Sequence, residues 1–344
     1  MAQTAKSRLE GTVTRRIRAV TTHSIVVLAF LISLPRVIGT QQAATPELHP
    51  VDPYKINVNV SSVVLHATVT NHNGSPVSGL GKGDFSISED GVPQAIGYFS
   101  HDDVPVTVGL VLDNSGSMRP NRDEVIAAGM AFARSSNPQD QMFVVNFNER
   151  VSLGLPVGTP FTDQTAQLQG ALARFHADGK TALYDALALA LGHLKLGDRD
   201  KKVLIVVSDG GDNASTFELD KILTLAAKSD AIIYTIDIHV EEDLDRNPRA
   251  LKRLTAATGG EDFVVESLPE VLPVCERIAR DIRAQYTLAY SPANGQEDGT
   301  YRVILVKAKA HGHGSLSVVT RAGYYAPSQP RPFVPISGKP GNLP

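Results

Sequence analysis

The chain has 344 residues, which is long enough for two domains, and its 42% hydrophobic and 20% charged residues are typical of a globular protein. Its formal net charge of −3 at pH 7 gives no general attraction to nucleic acid or to an anionic membrane surface. The single cysteine, Cys275, excludes an intrachain disulfide framework.

The N-terminus has the pattern of an export signal. An apolar run at residues 25–34 follows four arginines, Arg8, Arg15, Arg16 and Arg18, and ends at Pro35. This run is too short to span a bilayer, which takes about 20 residues, but it matches the apolar part of a signal peptide. The sequence therefore predicts an exported protein, located in the periplasm, in the cell envelope or outside the cell. Residues 1–39 are predicted to be a cleaved signal peptide or an uncleaved anchor, with a linker at 40–53 and no other membrane contact.

Residues 54–101 are strand-like and rich in turns. The stretch INVNVSSVVLHATVT is alternating or β-branched, and Asp90 and Gly91 lie between two short strand patterns. This stretch predicts an N-terminal β-rich segment.

Strands and helices alternate over residues 104–284. The apolar runs VPVTVGLVLD, QMFVVNFN, KKVLIVVSD and AIIYTIDI are separated by patterns with helical spacing, and a helix, a strand and a helix follow. Continuous apolar strands that alternate with helices indicate a mostly parallel sheet covered on both faces. With right-handed crossovers, the prediction is a doubly wound α/β domain. In its last helix, Cys275 is predicted to be a small buried residue rather than a reactive thiol.

After residue 284 the sequence returns to strands. The stretches QYTLAYSP, TYRVILVKAKA and GSLSVVTRAGYY predict C-terminal strands over 285–326, with a hairpin turn at residues 311–314. Because each flanking segment alone is short for an independent core, we expect the two to pack into one accessory β domain. Residues 327–344 contain six prolines and are predicted to be a disordered tail.

Polar residues follow two of the predicted buried strands, at the sheet edge where ligands bind in doubly wound folds. One strand ends in DNSGSM, which places Asp113, Ser115 and Ser117 on the same side of an extended segment. Another ends at Asp209, and Thr181 supplies a hydroxyl from a third loop. Two carboxylates and three hydroxyls suit a hard cation, Mg²⁺ foremost, with Mn²⁺ and Ca²⁺ as alternatives. None of these five residues is a histidine or a cysteine, which argues against a zinc site.

Residues 104–284 resemble a von Willebrand factor type A domain. The metal-ion-dependent adhesion site of that family is a D-x-S-x-S…T…D pattern, which this sequence matches without departure at Asp113, Ser115, Ser117, Thr181 and Asp209. The preceding stretch GSPVSGLGKGDFSISEDGVPQAI resembles the segment before this domain in bacterial exported proteins related to von Willebrand factor A. The resemblance implies a non-enzymatic, adhesion-type module that binds a protein partner, in which an Asp or Glu of that partner completes the metal coordination.

Alternatives remain open for several of these residues. Thr181 alone also fits the N-cap of a helix. The triplet Gly179-Lys180-Thr181 is not the end of a phosphate-binding loop, because that motif requires glycine where Arg174 stands. The acidic loop at 241–245 is predicted to be solvated, with repulsion of anionic partners or a second cation as alternatives.

Two other functions compete with adhesion. The first is a structural or assembly subunit of an envelope complex, in which the metal only stiffens the loops. The second is a metal-dependent hydrolase. The hydrolase lacks an evident general base, because no histidine follows either metal loop, and the G-x-S-x-G motif is absent.

Overall fold

The computed structural model describes residues 62–328, except Phe175 and residues 239–244. The predicted signal peptide or anchor, the linker, and most of the proline-rich tail and acidic loop lie outside the described residues. Within the described part, no helix combines the length and the apolar character needed to cross a membrane.

Strands and helices follow one another along the described chain in the predicted order. The strands are β1 (Val63–Thr70), β2 (Phe85–Glu89), β3 (Val92–Gln94), β4 (Ile96–Ser100), β5 (Val106–Asp113), β6 (Gln141–Phe147), β7 (Val151–Leu153), β8 (Lys201–Ser208), β9 (Ala231–Ile238), β10 (Asp262–Val265), β11 (Tyr286–Tyr290), β12 (Tyr301–Ala308), β13 (Ser317–Val319) and β14 (Gly323–Tyr325). The α-helices are α1 (Arg122–Ser135), α2 (Thr165–Leu172), α3 (Leu183–Leu194), α4 (Leu219–Lys228), α5 (Pro248–Thr258) and α6 (Val271–Arg283). Short 3-10 helices lie at Lys82–Asp84, Gly116–Asn121 and Leu268–Glu270.

The elements from β5 to α6 form a doubly wound α/β domain. Its sheet has the order β10-β9-β8-β5-β6-β7, and its strands run parallel except for the edge strand β7, which is antiparallel to β6. β5 and β9 are buried along their whole length, as expected for strands covered on both faces. The predicted fold class is therefore confirmed. β7 was not predicted, because its three residues are too few to show a strand pattern.

The segments on either side of this domain pair with each other. β11 lies between β1 and β4 in a sheet of order β13-β1-β11-β4. β12 pairs with β2 in a second sheet of order β14-β12-β2-β3. Alternate residues of β1 and β12 are buried, and they share a core with Tyr286, Leu288 and Tyr290. The accessory β domain built from both flanks is thus present, with the α/β domain inserted between its halves.

One of the two predicted hairpin turns is confirmed, and the other is wrong. Asp90 and Gly91 connect β2 to β3 with φ values of 48° and 81°, the left-handed backbone typical of a tight hairpin turn. Residues 311–314, in contrast, do not form the predicted hairpin. They lead from β12 to β13, which pairs with β1 in the other sheet. A local turn signal therefore does not determine which strands pair.

A close backbone contact joins the β domain to the ends of two helices. The guanidinium of Arg321 donates to the carbonyl of Ala227 (3.2 Å) and pairs with Asp230 (3.1 Å), next to the end of α4. Gly259, the C-cap of α5, has φ of 81°. A Cβ atom there would lie 2.3 Å from the backbone nitrogen of Arg321. The two domains therefore approach this closely only because residue 259 has no side chain.

Lys201 is a buried cation at the start of β8, on the side of the sheet nearest the β domain. Only 3% of the residue is exposed, and its Nζ donates a hydrogen bond to the carbonyl of Ile282. Burial lowers the pKa of Lys201 from 10.5 to about 7, against the opposing effect of the acidic side chains of Asp103 and Asp140.

We expect Lys201→Met to remove a pH dependence of the free energy of unfolding. Between about pH 7 and pH 10 the unfolded chain holds a proton on Lys201 that the folded protein has released, so wild-type stability rises with pH. One such group contributes at most about 1.4 kcal/mol per pH unit. Chemical denaturation at several pH values should show wild-type stability rising relative to the variant, whereas Lys202→Met should keep the wild-type slope. Parallel pH profiles for wild type and Lys201→Met would contradict this.

Candidate metal centre

The loop after β5 brings three of the predicted metal ligands together. Asp113 is the last residue of β5, and the 3-10 helix Gly116–Asn121 begins three residues later. Asp113 Oδ1 accepts a hydrogen bond from the backbone N–H of Ser115 (2.8 Å). The hydroxyl oxygens of Ser115 and Ser117 lie 3.1 Å apart. The extended segment therefore turns back so that its oxygens face one region.

The loop after β8 adds the second carboxylate. β8 lies beside β5 and runs parallel to it, so Asp209, directly after β8, emerges at the same edge. Ser117 Oγ donates to Asp209 Oδ2 (3.0 Å), and the N–H of Gly211 donates to Asp209 Oδ1 (2.9 Å). Asp113 and Asp209 are 3% and 0% exposed. The structure thus places Asp113, Ser115, Ser117 and Asp209 in one cluster of oxygen atoms, of which Ser117 is half-buried and the other three residues are buried.

Thr181 belongs to the same edge but is not the N-cap of α3. The N-cap is Ala182, and it makes no side-chain capping bond. The backbone N–H of Thr181 donates to Asn213 Oδ1 (2.9 Å), which ties the threonine loop to the aspartate loop. The N–H of Gly116 donates to the carbonyl of Gly179 (3.1 Å), which ties it to the serine loop. The capping alternative for Thr181 is therefore wrong.

Electrostatics at Asp113 favour a cation. Burial, and after it the charge of Asp209, raise the pKa of Asp113 from 3.8 to about 7. Hydrogen bonds from Ser115 and Ser208 oppose this rise, and Ser208 Oγ donates to Asp113 Oδ2 at 2.7 Å. Two buried carboxylates that repel each other are both stabilised as anions by a positive ion between them.

The oxygen spacing fits a small octahedral cation. With metal–oxygen distances of 2.0–2.1 Å, neighbouring ligand oxygens of octahedral Mg²⁺ lie about 2.9 Å apart. The Ser115–Ser117 pair at 3.1 Å and the Ser117–Asp209 pair at 3.0 Å have nearly this separation. Among the described residues, no group of three or more His, Cys, Asp or Glu side chains is arranged to hold a metal. A metal at this edge therefore depends on hydroxyls as much as on carboxylates.

Three residues next to the cluster were missed by the sequence analysis. Ser208 contacts Asp113, and Asn213 holds Thr181. Glu149 Oε2 accepts from the N–H of Lys180 (2.9 Å). Ser208 and Asn213 belong to the SDGGDN stretch that contains Asp209, so adjacency to a predicted ligand was a usable signal. Glu149 lies between β6 and β7 and carried no such signal.

Two other predicted residues can be placed. Cys275 is 3% exposed, and burial raises the pKa of its thiol to about 12, with a smaller contribution from Glu276. It is therefore a buried apolar residue, as predicted. Asp245, the described end of the acidic loop, accepts a hydrogen bond from Asn213 Nδ2 (2.6 Å). The second-cation alternative for this loop stays a prediction.

A crevice of about 780 Å³ lies away from the oxygen cluster. It is bounded by the start of β1, the end of α4 and the region of β14, and His66, Lys228 and Arg321 are among its lining residues. None of the five predicted ligands lines it. The candidate metal centre is thus separate from this crevice.

Residues 108–211 match the family model of the von Willebrand factor type A domain. This span contains all five predicted metal ligands. No curated protein matches the chain.

Several solved structures are similar to parts of the chain. A von Willebrand factor type A protein from Catenulispora acidiphila is 16% identical, with 70% of this chain and 73% of that chain covered and a TM-score of 0.47. The vWF domain of the type V pili tip protein Mfa5 from Porphyromonas gingivalis is 15% identical, with 52% and 95% covered and a TM-score of 0.45. The pilus adhesin SpaC from Lactobacillus rhamnosus GG is 12% identical, with 71% and 48% covered and a TM-score of 0.44.

Proposed function

We propose that this chain, which contains a von Willebrand factor type A domain, is a non-enzymatic module that binds a protein partner through a divalent cation. The observation that carries the proposal is the convergence of carboxylate and hydroxyl oxygens from the loops after β5 and β8, at separations of 3.0–3.1 Å. Asp113, Ser115, Ser117, Thr181 and Asp209 would hold the ion. Mg²⁺ is the expected metal, with Mn²⁺ and Ca²⁺ as alternatives.

The charge balance of this ligand set favours binding of an outside acid. Two carboxylates at most neutralise a divalent ion, and the three hydroxyls add no charge. A cation that is not over-neutralised attracts a further anionic oxygen. We therefore propose that an Asp or Glu of the partner supplies it.

The proposed setting is the periplasm, the cell envelope or the cell exterior. It rests on the export pattern at residues 1–39. The alternative function is an assembly subunit of an envelope complex. In that case the same loops would bind the metal, and the metal would only make the loops more rigid. A hydrolase is a weaker alternative, because it would need a general base near the ion, and no histidine directly follows either metal loop.

Metal-linked stability tests the site. Mg²⁺ at about 100 times its dissociation constant should add about 2.7 kcal/mol to the free energy of unfolding, a melting shift of roughly 5–10 °C for a domain of this size. We expect Asp113→Ala and Asp209→Ala each to abolish most of this shift, because each removes a charged ligand. Calorimetry with Mg²⁺ or with EDTA measures it, and Asp163→Ala, at an exposed site, is the control.

The metal site would be contradicted if Mg²⁺ did not raise the melting temperature of the wild type. Wild type, Asp113→Ala and Asp209→Ala would all melt at the same temperature with Mg²⁺ as with EDTA. The cluster would then be an ordinary hydrogen-bonded loop junction.

A further inference from the structure

We propose that Asn213 is a positioning residue that holds Thr181 in place at the metal centre. This inference deepens the proposed function and rests on it. The relevant observation is a reciprocal pair of hydrogen bonds between the threonine loop and the aspartate loop. The N–H of Thr181 donates to Asn213 Oδ1 (2.9 Å), and the N–H of Asn213 donates to the carbonyl of Thr181 (3.0 Å).

Both backbone polar groups of Thr181 are thereby held by one segment. The N–H of Ala214 also donates to the Thr181 carbonyl, at 3.0 Å. With its N–H and C=O both fixed relative to the loop that carries Asp209, the Cα–Cβ direction of Thr181 is fixed as well. A ligand hydroxyl on such a backbone is held in advance of metal binding rather than ordered by it.

The helix that follows does not hold Thr181 by itself. The N-cap of α3 is Ala182, without a side-chain bond, and Gly179 just before has φ of 79°, a conformation that glycine adopts freely. Hydrogen bonds from segments outside α3 must therefore fix the conformation of the loop that carries Thr181. Glu149 accepts from the N–H of Lys180 (2.9 Å), and the N–H of Ala182 donates to the carbonyl of Asn148 (2.8 Å). These two bonds hold the neighbours of Thr181, whereas the side chain of Asn213 bonds to Thr181 itself.

The amide of Asn213 is oriented in its turn by Asp245. Asn213 Nδ2 donates to Asp245 Oδ2 at 2.6 Å. Because a carboxylate accepts only from the NH₂ side of an amide, this bond turns Oδ1 toward the N–H of Thr181. Partners that orient a ligand in this way commonly affect metal affinity by about 10–100-fold. Asn213 thus connects the threonine loop, the aspartate loop and the segment that contains Asp245.

Calorimetric titration with Mg²⁺ tests the role of Asn213 through a double-mutant cycle. We expect Asn213→Ala to weaken Mg²⁺ binding by about 10–100-fold. If it acts through Thr181, the variant carrying both Thr181→Ala and Asn213→Ala should bind no more weakly than Thr181→Ala alone. The double exchange Asn213→Asp with Asp245→Asn keeps an acceptor for the Thr181 N–H and an amide–carboxylate hydrogen bond between positions 213 and 245, so its affinity should stay close to that of wild type.

The matched control is Asn137→Ala. Asn137 Oδ1 also accepts a backbone N–H, from Gln139 at 3.0 Å, but it lies before β6, at the opposite edge of the sheet. We expect its Mg²⁺ affinity to equal that of wild type. Circular dichroism in EDTA establishes that each variant is folded.

Three results would overturn the inference while leaving the proposed function standing. They are an unchanged affinity in Asn213→Ala, additive losses in the variant with Thr181→Ala and Asn213→Ala, or a loss in the exchange variant as large as that in Asn213→Ala. Absence of Mg²⁺ binding by the wild type would overturn the proposed function as well, so the two failures are distinguishable.

Discussion

Deleting residues 285–344 is expected to unfold residues 62–100 while the α/β domain stays folded. The deletion removes β11, which lies between β1 and β4, and β12, the partner of β2. The strands that remain would lose the buried side chains of Tyr286, Leu288 and Tyr290 from their core. A segment of about 40 residues without these partners is too small to bury a stable core. The α/β domain has a separate core, built on β5 to β10 and their helices.

Limited proteolysis with mass spectrometry measures this effect. In the truncated protein, cleavage should concentrate in residues 62–100, and the fragment that starts near β5 should survive. Deleting only residues 329–344 is the control, because it keeps every strand that the structure describes in the accessory β domain. A truncated protein whose residues 62–100 resist protease as in the full chain would show that the flanks do not depend on each other.

The predictable part of the fold is the part whose strands carry their own burial pattern. β5, β6, β8 and β9 are continuous apolar runs because helices cover both sheet faces, and this pattern is visible without knowledge of strand order. β7 is only three residues long and carried no pattern. The sequence also did not predict that the chain passes from one sheet to the other at residues 311–314, because strand pairing depends on contacts between distant segments.

The candidate site divides in a similar way. Asp113, Ser115 and Ser117 follow one strand and Asp209 follows its neighbour, so the meeting of strand ends at one edge predicts their proximity. Thr181 is held at this edge by hydrogen bonds of its own backbone N–H and C=O. Its capping role was mispredicted because the sequence does not locate the start of a helix accurately enough to separate the N-cap from the residue before it. Asn213 and Glu149 act by accepting backbone N–H groups. Such roles depend on loop conformation and leave no spacing signal.

The charges of the candidate metal centre indicate which chemical group a partner would have to supply. The pKa of Asp113 is raised by burial and by the charge of Asp209, so a cation between the two carboxylates would stabilise both of them as anions. The hydroxyls of Ser115, Ser117 and Thr181 leave the net charge of the site unchanged. At the proposed metal centre, an incoming carboxylate would therefore meet an ion with remaining positive character, whereas a neutral or basic group would gain little.

Removing the acidic residue that we propose as the partner's metal ligand is accordingly expected to cost about 2–5 kcal/mol of binding free energy. Breaking a charged contact inside a buried interface has this magnitude, and much of it comes from leaving the other charge unmatched. EDTA should produce a comparable loss by removing the ion itself. The experiment captures a partner from envelope extract in Mg²⁺, releases it with EDTA, and replaces its Asp and Glu residues one at a time.

Thr181→Ala separates this docking mode from a contact elsewhere on the domain. Because Thr181 is not the N-cap of α3, its hydroxyl can be removed without loss of a capping bond, and the fold should remain intact. We expect the variant to bind the captured partner more weakly than wild type in Mg²⁺, and the difference to vanish in excess EDTA. Thr224→Ala, whose hydroxyl bonds only within α4 in the described structure, serves as the control. Equal affinity of wild type and Thr181→Ala, with Mg²⁺ and with EDTA alike, would mean that the partner docks away from the metal edge, and the adhesion function would have to be given up.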